Sequence, residues 1–253
     1  KVNALFSDQW SFYTPLFEDR GWWSLFTWQH GPHRQGIAFV LTAWVMEASH
    51  WDVRVESLWV AGCLVVATLL VIGLKRRIAG RIELTDTWIA IAGLSLLQYE
   101  TVLLVPNASH SVFPLVLLLV AAHLLVGPQT TVRLGLLGAI GGLALFTGFG
   151  LFVAAGIAVC LAVGWVGSPA ARRGSAGGLA LLAVALAVFA RDYTFSAASG
   201  GFGFPPDSWW AVVKFAGLML SSRVGMDATG GVAIAWGVGL GVLMAAALSC
   251  VRQ

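Results

Sequence analysis

Two histidines and an arginine stand close together in the segment Trp28-Gln-His30-Gly-Pro-His33-Arg34 of this 253-residue chain. Arginine offers a planar fork of N–H donors to a phosphate or pyrophosphate, and a histidine ring adds a further donor. His30, His33 and Arg34 are therefore candidates for binding such a group. A hydrogen-bonded loop with a structural role is the alternative. Two histidines three residues apart, with a nearby Asp, could also hold a metal ion.

Asp8 is the carboxylate that suits catalysis upstream of this segment. A carboxylate can accept the proton of an attacking hydroxyl group or hold a hard divalent cation. A Ser-Asp pair before an aromatic segment is also a common helix start, so a capping role is the alternative. Asp8 and His33 are weak metal-ligand candidates. The cofactor is therefore unknown, with a divalent cation as one open candidate.

Two polar residues stand in apolar surroundings farther along the chain. Glu100 lies at the apolar end of a predicted span, where a buried carboxylate must find a partner or be protonated. Arg34, Arg54 or a histidine could supply that partner, which favours a structural ion pair near the site. His123 stands alone in an apolar run and is a weak candidate ligand for a chlorin or haem metal. A hydrogen bond to a neighbouring helix is the simpler explanation.

The composition is that of an integral membrane protein. The chain is 58% hydrophobic and only 11% charged, with a mean hydropathy of +0.83, whereas soluble domains carry about 25% charged residues. Apolar runs of roughly 20 residues recur, which predicts helices rather than a strand barrel. The net charge of +3 is too small to indicate a nucleic-acid partner. Motifs of soluble hydrolases, NTPases and dinucleotide-binding enzymes do not occur in the sequence.

The predicted fold is all-α, a polytopic transmembrane bundle of about seven spans plus two short interfacial helices. Residues 1–56 form an outer-face loop with short interfacial helices. Residues 57–253 form the bundle, with an outer loop and interfacial helix at 191–229. The predicted spans are 57–74, 87–105, 111–127, 131–166 divided at Gly148-Phe-Gly150, 176–190 and 230–250, and short helices are expected at 35–50 and 209–224. A further span before Lys1 is also expected.

The distribution of basic residues orients this bundle, because lysine and arginine favour cytoplasmic loops. If residues 57–74 run inward, the basic residues between spans all fall on the cytoplasmic side. These residues are Lys75, Arg76, Arg77, Arg81, Arg133, Arg172, Arg173 and Arg252. The His30–Arg34 segment then faces the outer side.

Three motifs follow one another in a distinctive order: Asp8-Gln-Trp10, His30-Gly-Pro-His33-Arg34 and Trp51-Asp-Val-Arg54-Val-Glu56. Gln98-Tyr99-Glu100 is similar to part of a fourth, Q-W-E-N-W-like motif. Together they resemble bacterial polytopic membrane proteins related to the C-type (GT-C) glycosyltransferases, which use polyprenyl-phosphate-linked sugars. The resemblance extends over most of the chain, with its best matches in residues 8–56 and 98–100.

The resemblance implies an outward-facing active site in a bacterial cytoplasmic membrane. Asp8 would act as catalytic base or metal ligand. His33 and Arg34, with His30 beside them, would contact the phosphate of the lipid-linked sugar, and Arg54 and Glu100 would support them. The implied partners are membrane lipid and a polyprenyl-phosphate sugar, and the implied reaction is an inverting glycosyl transfer.

A non-catalytic subunit of a larger membrane complex, holding pigments, lipids or neighbouring subunits, is the alternative from a different class. The sparse chemistry, the Gly- and Ala-rich helices and the Trp-rich rim favour it. A transporter or flippase is a third reading, with which a span broken at Gly148-Phe-Gly150 is compatible. An outer cavity where Asp8, His33 and Arg34 converge would favour the enzyme, and a chlorin at His123 would favour the subunit.

Overall fold

The computed structural model describes residues 3–5, 9–95, 98, 100–104, 107–194 and 208–211. Contacts divide the chain into two compact units, residues 1–195 and 196–253. In the second unit only residues 208–211 are described, of which 209–211 are helical. Asp8, the predicted span 230–250, Arg252 and most of the predicted interfacial helix 209–224 lie outside the described residues.

The described part of the first unit is mostly helical, so the all-α prediction is confirmed. Its elements in chain order are α1 (Gln9–Phe12), α2 (Thr14–Phe17), α3 (Trp22–Thr27), β1 (Gln29–His30), β2 (His33–Arg34), α4 (Gly36–Ala48), α5 (Val53–Ala79), a 3-10 helix (Leu84–Asp86), α6 (Thr87–Leu94), a π-helix (Glu100–Leu104), α7 (Phe113–Leu125), α8 (Thr131–Leu145), α9 (Gly150–Gly164) and α10 (Pro169–Ala190).

Two described helices, α5 with 27 residues and α10 with 22, are long and apolar enough to cross a membrane. At about 1.5 Å per residue, α5 is roughly 40 Å long, more than the hydrocarbon thickness of a bilayer. Asp52 caps its start by accepting a hydrogen bond from the Arg54 amide at 2.9 Å, and Gly80 ends it in the left-handed conformation. The other apolar helices have 10–17 residues, where α6 is counted together with the 3-10 helix that precedes it.

One predicted helix break is present in the structure, and one predicted span is divided. The break at Gly148-Phe-Gly150 is confirmed, because α8 ends at Leu145 and α9 begins at Gly150. The span predicted over 87–105 is not a single α-helix. Ser95 has an extended backbone that ends α6 at Leu94, and a π-helix begins at Glu100.

Helices α8 and α10 approach each other closely through glycines. A Cβ atom added to Gly138 would lie 2.2 Å from the Gly178 carbonyl oxygen, and one added to Gly178 would lie 2.6 Å from the Leu134 carbonyl oxygen. Both distances are far inside van der Waals contact. Any side chain at either position must push the two helices apart.

We therefore expect Gly138→Ala to destabilise the helical core. Overpacking of this kind costs about 1–3 kcal/mol in free energy of unfolding. Gly135→Ala is the matched control, because a Cβ atom there has nothing within 4 Å. Melting in detergent micelles should show a lower melting temperature for Gly138→Ala only. Equal melting temperatures would contradict the close packing of α8 on α10.

Basic residues gather at one end of the helices. The Nη1 atom of Arg77 donates to the His123 carbonyl oxygen at 3.0 Å, and Nη2 of Arg133 donates to the same oxygen at 2.6 Å. The Thr131 hydroxyl donates to the Ala170 carbonyl oxygen at 3.0 Å. These bonds join the ends of α5 and α7 to the starts of α8 and α10. This basic end carries Lys75, Arg76, Arg77, Arg133, Arg172 and Arg173.

Residues 9–52, called the head below, pack against the other end of the helices. Gly36 has a φ of +58° and lies so close to α8 that a Cβ atom would be 2.3 Å from the Phe146 carbonyl oxygen. Just before α7, the Ser109 hydroxyl donates to the Gln35 carbonyl oxygen at 2.9 Å. The head is thus anchored to the helices by the residues that directly follow the His30–Arg34 segment.

Candidate functional site

A short hairpin presents the two predicted histidines. Strands β1 and β2 pair antiparallel, with His30 opposite His33. Gly31 makes the tight turn possible with a φ of +60°, a conformation in which glycine pays no steric penalty. The hairpin therefore fixes both rings next to each other on the head.

A third histidine, from the loop before α7, joins them. The ring centroids of His33 and His110 are 5.0 Å apart, and the His33 ring also lies 5.9 Å from that of Phe149. The Nε2 atom of His30 lies 3.1 Å from the Ser11 hydroxyl oxygen. We call His30, His33 and His110 the histidine cluster. His30 and His33 are predicted site residues, whereas His110 was expected only among the polar residues of the outer side.

Burial keeps two members of the histidine cluster neutral. It lowers the pKa of His110 to about 3, with smaller contributions from the neighbouring His33 and His30. Burial, and then His30, also lowers the pKa of His33. The Gln35 amide nitrogen lies 3.0 Å from His110 Nε2. An amide N–H can only donate, so that imidazole nitrogen is unprotonated and accepts.

Acid should therefore destabilise the fold through His110. The unfolded chain binds a proton at His110 near pH 6.5, whereas the folded chain resists protonation until about pH 3. Stability is complete above pH 6.5 and falls as the pH drops towards 3. Between pH 7.5 and 5.5 protonation of this group alone lowers the free energy of unfolding by about 1.4 kcal/mol. Melting temperatures across this range should fall less for His110→Gln than for the wild type, and parallel curves would contradict the assignment.

Gln35 has an orphaned acceptor beside the histidine cluster. Its side chain is fully buried, and its Oε1 atom has no hydrogen-bond partner among the described residues. A buried carbonyl oxygen without a donor is costly, so this acceptor is a destabilising feature of the packing beside the histidine cluster.

Arg34 binds the backbone of its own chain. The side chain is buried, with 4% exposed. Its Nε atom donates to the Phe189 carbonyl oxygen at 2.8 Å, while Nη1 and Nη2 donate to the carbonyl oxygens of Thr27 and Arg191. The guanidinium also lies over the rings of Phe189 and Tyr193. Arg34 therefore ties the hairpin to the end of α10, and its contact with a phosphate stays a prediction.

Glu56, the last residue of the Trp51–Glu56 motif, is a second buried charged side chain. It is fully buried in the first turns of α5, where the Tyr13 hydroxyl and the Gln9 amide donate to its two oxygens, the latter at 2.8 Å. Burial, together with Glu56, raises the pKa of Tyr13 well above 10, so Tyr13 stays protonated and donates. This contact attaches α1 and α2 to α5.

The remaining predicted site residues have other surroundings. Arg54 is exposed and forms a forked ion pair with Asp52, with its Nε atom 2.8 Å from Oδ1 and Nη2 2.5 Å from Oδ2. For Glu100 the structure describes only the backbone, at the start of the π-helix. Nε2 of His123 donates to the Leu70 carbonyl oxygen at 2.9 Å, the hydrogen bond to a neighbouring helix that we gave as the simpler explanation.

Metal binding has no support in the described part of the chain, where no group of three or more His, Cys, Asp or Glu side chains could hold an ion. Asp8 lies outside that part. Comparison with family models, curated proteins and solved structures finds no match to this chain. Its function is therefore inferred from the site itself.

Proposed function

We propose that this chain is a membrane glycosyltransferase of the GT-C-related type, which binds a polyprenyl-phosphate-linked sugar at the histidine cluster. The apolar composition and the two long helices α5 and α10 support membrane insertion. In this proposal the shorter helices complete a polytopic bundle of about seven spans. The basic end lies in the bacterial cytoplasm and the head faces the outer side.

The observation that carries the proposal is the convergence of His30, His33 and His110 at the end of the helices opposite the basic residues. Each imidazole ring has an N–H that can donate to a phosphate oxygen. The site thus offers N–H donors for the phosphate half of a sugar phosphate.

The reaction follows from these roles. The acceptor oxygen attacks the anomeric carbon as its hydroxyl proton passes to the Asp8 carboxylate, and the bond from that carbon to the phosphate oxygen breaks. The electron pair leaves with the polyprenyl phosphate. The histidine cluster meets the developing negative charge, the kind of stabilisation that usually dominates such catalysis. Attack opposite the leaving group inverts the anomeric centre.

Binding of a polyprenyl phosphate to the purified full chain tests this assignment. His33→Phe keeps an aromatic ring but removes the donor, so affinity should fall at least about tenfold, as expected for one hydrogen bond to a charged group. His50→Asn is the control, because His50 is an exposed turn residue with φ +54°, a conformation that asparagine tolerates. Equal affinity of His33→Phe and wild type would refute the phosphate site.

A non-catalytic membrane subunit is the second candidate, favoured by one observation. Arg34 of the head and Glu56 of α5 are buried charged side chains, and both hold the head in place through internal hydrogen bonds. A subunit should co-purify with partner chains from its native membrane and bind polyprenyl phosphate no better in the wild type than in His33→Phe. An enzyme should show the tenfold difference when purified alone.

A further inference from the structure

A groove of about 410 Å³ lies on the surface between α8 and α10, away from the histidine cluster. Its wall is almost entirely apolar or glycine. The residues that matter for its chemistry are Thr131, Gly135, Arg173, Gly177, Leu181 and Val184. The groove begins at the basic end, where Thr131 and Arg173 lie.

The groove has the length of one membrane leaflet. Arg173, Gly177, Leu181 and Val184 recur at helical spacing and therefore share one face of α10. From Arg173 to Val184 the helix rises about 16 Å at 1.5 Å per residue. The hydrocarbon core of a bilayer is about 30 Å thick, so the groove covers about half of it.

Arg173 brings an uncompensated charge to the mouth of this groove. It is exposed and has no hydrogen bond or ion pair with any residue that the structure describes. Three other arginines at the basic end, Arg77, Arg133 and Arg172, are bound to carbonyl oxygens of the chain itself. Arg133 donates to the carbonyl oxygens of His123 and Leu124, and Arg172 donates to that of Trp165. The guanidinium of Arg173 is therefore available to an anionic group.

We propose that the groove binds an anionic phospholipid of the leaflet at the basic end. One acyl chain lies along Gly135 and Gly177, and the headgroup phosphate binds Arg173. The positively charged Arg173 at one end of the groove matches the charge of this ligand's headgroup. The apolar surface of the groove, about as long as one leaflet is thick, matches its acyl chain. The inference rests on the membrane insertion proposed above, and it is independent of the reaction at the histidine cluster.

Native mass spectrometry of the full chain, released from vesicles of phosphatidylglycerol and phosphatidylcholine, tests the inference. The wild type should retain phosphatidylglycerol in preference. Arg173→Gln should reduce that preference about fivefold, the effect of one basic residue near an anionic membrane surface. Arg76→Gln, a change at another exposed arginine of the basic end, should leave the preference intact.

Gly177→Leu should abolish retention of both lipids by filling the groove. A Cβ atom at Gly177 has nothing within 4 Å, so the leucine occupies the groove without displacing the protein. Gly156→Leu on α9 is the matched control, since Gly156 is equally exposed and equally free of neighbours. The control should retain lipid as the wild type does.

Several outcomes would overturn the lipid assignment. The first is equal retention of the two lipids by the wild type, and the second is retention that Gly177→Leu leaves unchanged. The third is a wild-type dimer that Gly177→Leu dissociates, which would show that a second copy of the chain occupies the groove. A cross-link between position 177 and residues 230–250 would show that the second unit of this chain, and not a lipid, occupies the groove. Extraction of the chain from membranes by alkaline carbonate would instead refute membrane insertion, and with it the proposed function.

Discussion

Replacement of Arg34 by alanine is expected to lower the free energy of unfolding by about 3–5 kcal/mol. Three carbonyl oxygens, of Thr27, Phe189 and Arg191, lose a charged donor at once. Hydrogen bonds to charged groups contribute about 1.5–3 kcal/mol each, and the desolvation of Arg34 offsets part of their sum. Thermal melting in detergent micelles measures the effect, and proteolysis should show early cleavage in the hairpin.

Two variants make this prediction specific. Arg34→Lys should restore less than half of the lost free energy of unfolding, because a lysine ammonium cannot donate to three widely separated carbonyl groups at once. Arg20→Ala removes an arginine of the head that is exposed and paired with Glu18 on the surface, so it should cost less than about 1 kcal/mol. If Arg34→Ala and Arg20→Ala melt alike, Arg34 does not hold the head to α10.

Replacement of Glu56 by alanine is the second large effect, a loss of about 3 kcal/mol. It deprives two buried donors, Tyr13 and Gln9, of their acceptor and leaves a cavity in the packing of the head on α5. Tyr13→Phe removes only one of these bonds and should cost about 1–2 kcal/mol. Glu47→Ala, at an exposed position of α4, is the control and should be nearly neutral.

A double-mutant cycle separates this contact from general damage. The double variant of Tyr13→Phe and Glu56→Ala should be more stable than the sum of the single changes predicts, by about 1–2 kcal/mol. The reason is that each single change already breaks the shared hydrogen bond. Strictly additive melting shifts would contradict a direct bond between the two side chains.

Local sequence patterns were enough to predict most helices of the first unit. Apolar runs predicted helices over 35–50 and 111–127, where the structure has Gly36–Ala48 and Phe113–Leu125. Gly148 and Gly150 predicted the break between α8 and α9. In contrast, the run over 87–105 contains no proline, and its polar residues, Ser95 among them, did not predict that α6 ends at Leu94.

The contacts of the candidate site could not be predicted in the same way, because they join distant parts of the chain. Gln35 meets His110 across 75 positions, and Arg34 meets Phe189 across 155. Periodicity identifies which face of a helix is apolar but not which loop meets which. The sequence therefore indicated a polar site around His33. Only the fold shows that the Arg34 side chain binds carbonyl oxygens of its own backbone.

Glycosyl transfer by an Asp8→Asn variant tests the central claim most directly. The purified full chain in liposomes is given a panel of polyprenyl-phosphate sugars, and release of polyprenyl phosphate is measured. We expect activity in the wild type and a fall of at least about 100-fold in Asp8→Asn, the contribution of a general base. Asp19→Asn, at an exposed head position with φ +51°, should remain active. Transfer by Asp8→Asn at the wild-type rate, or its absence from the wild type with every donor, would contradict the proposed function.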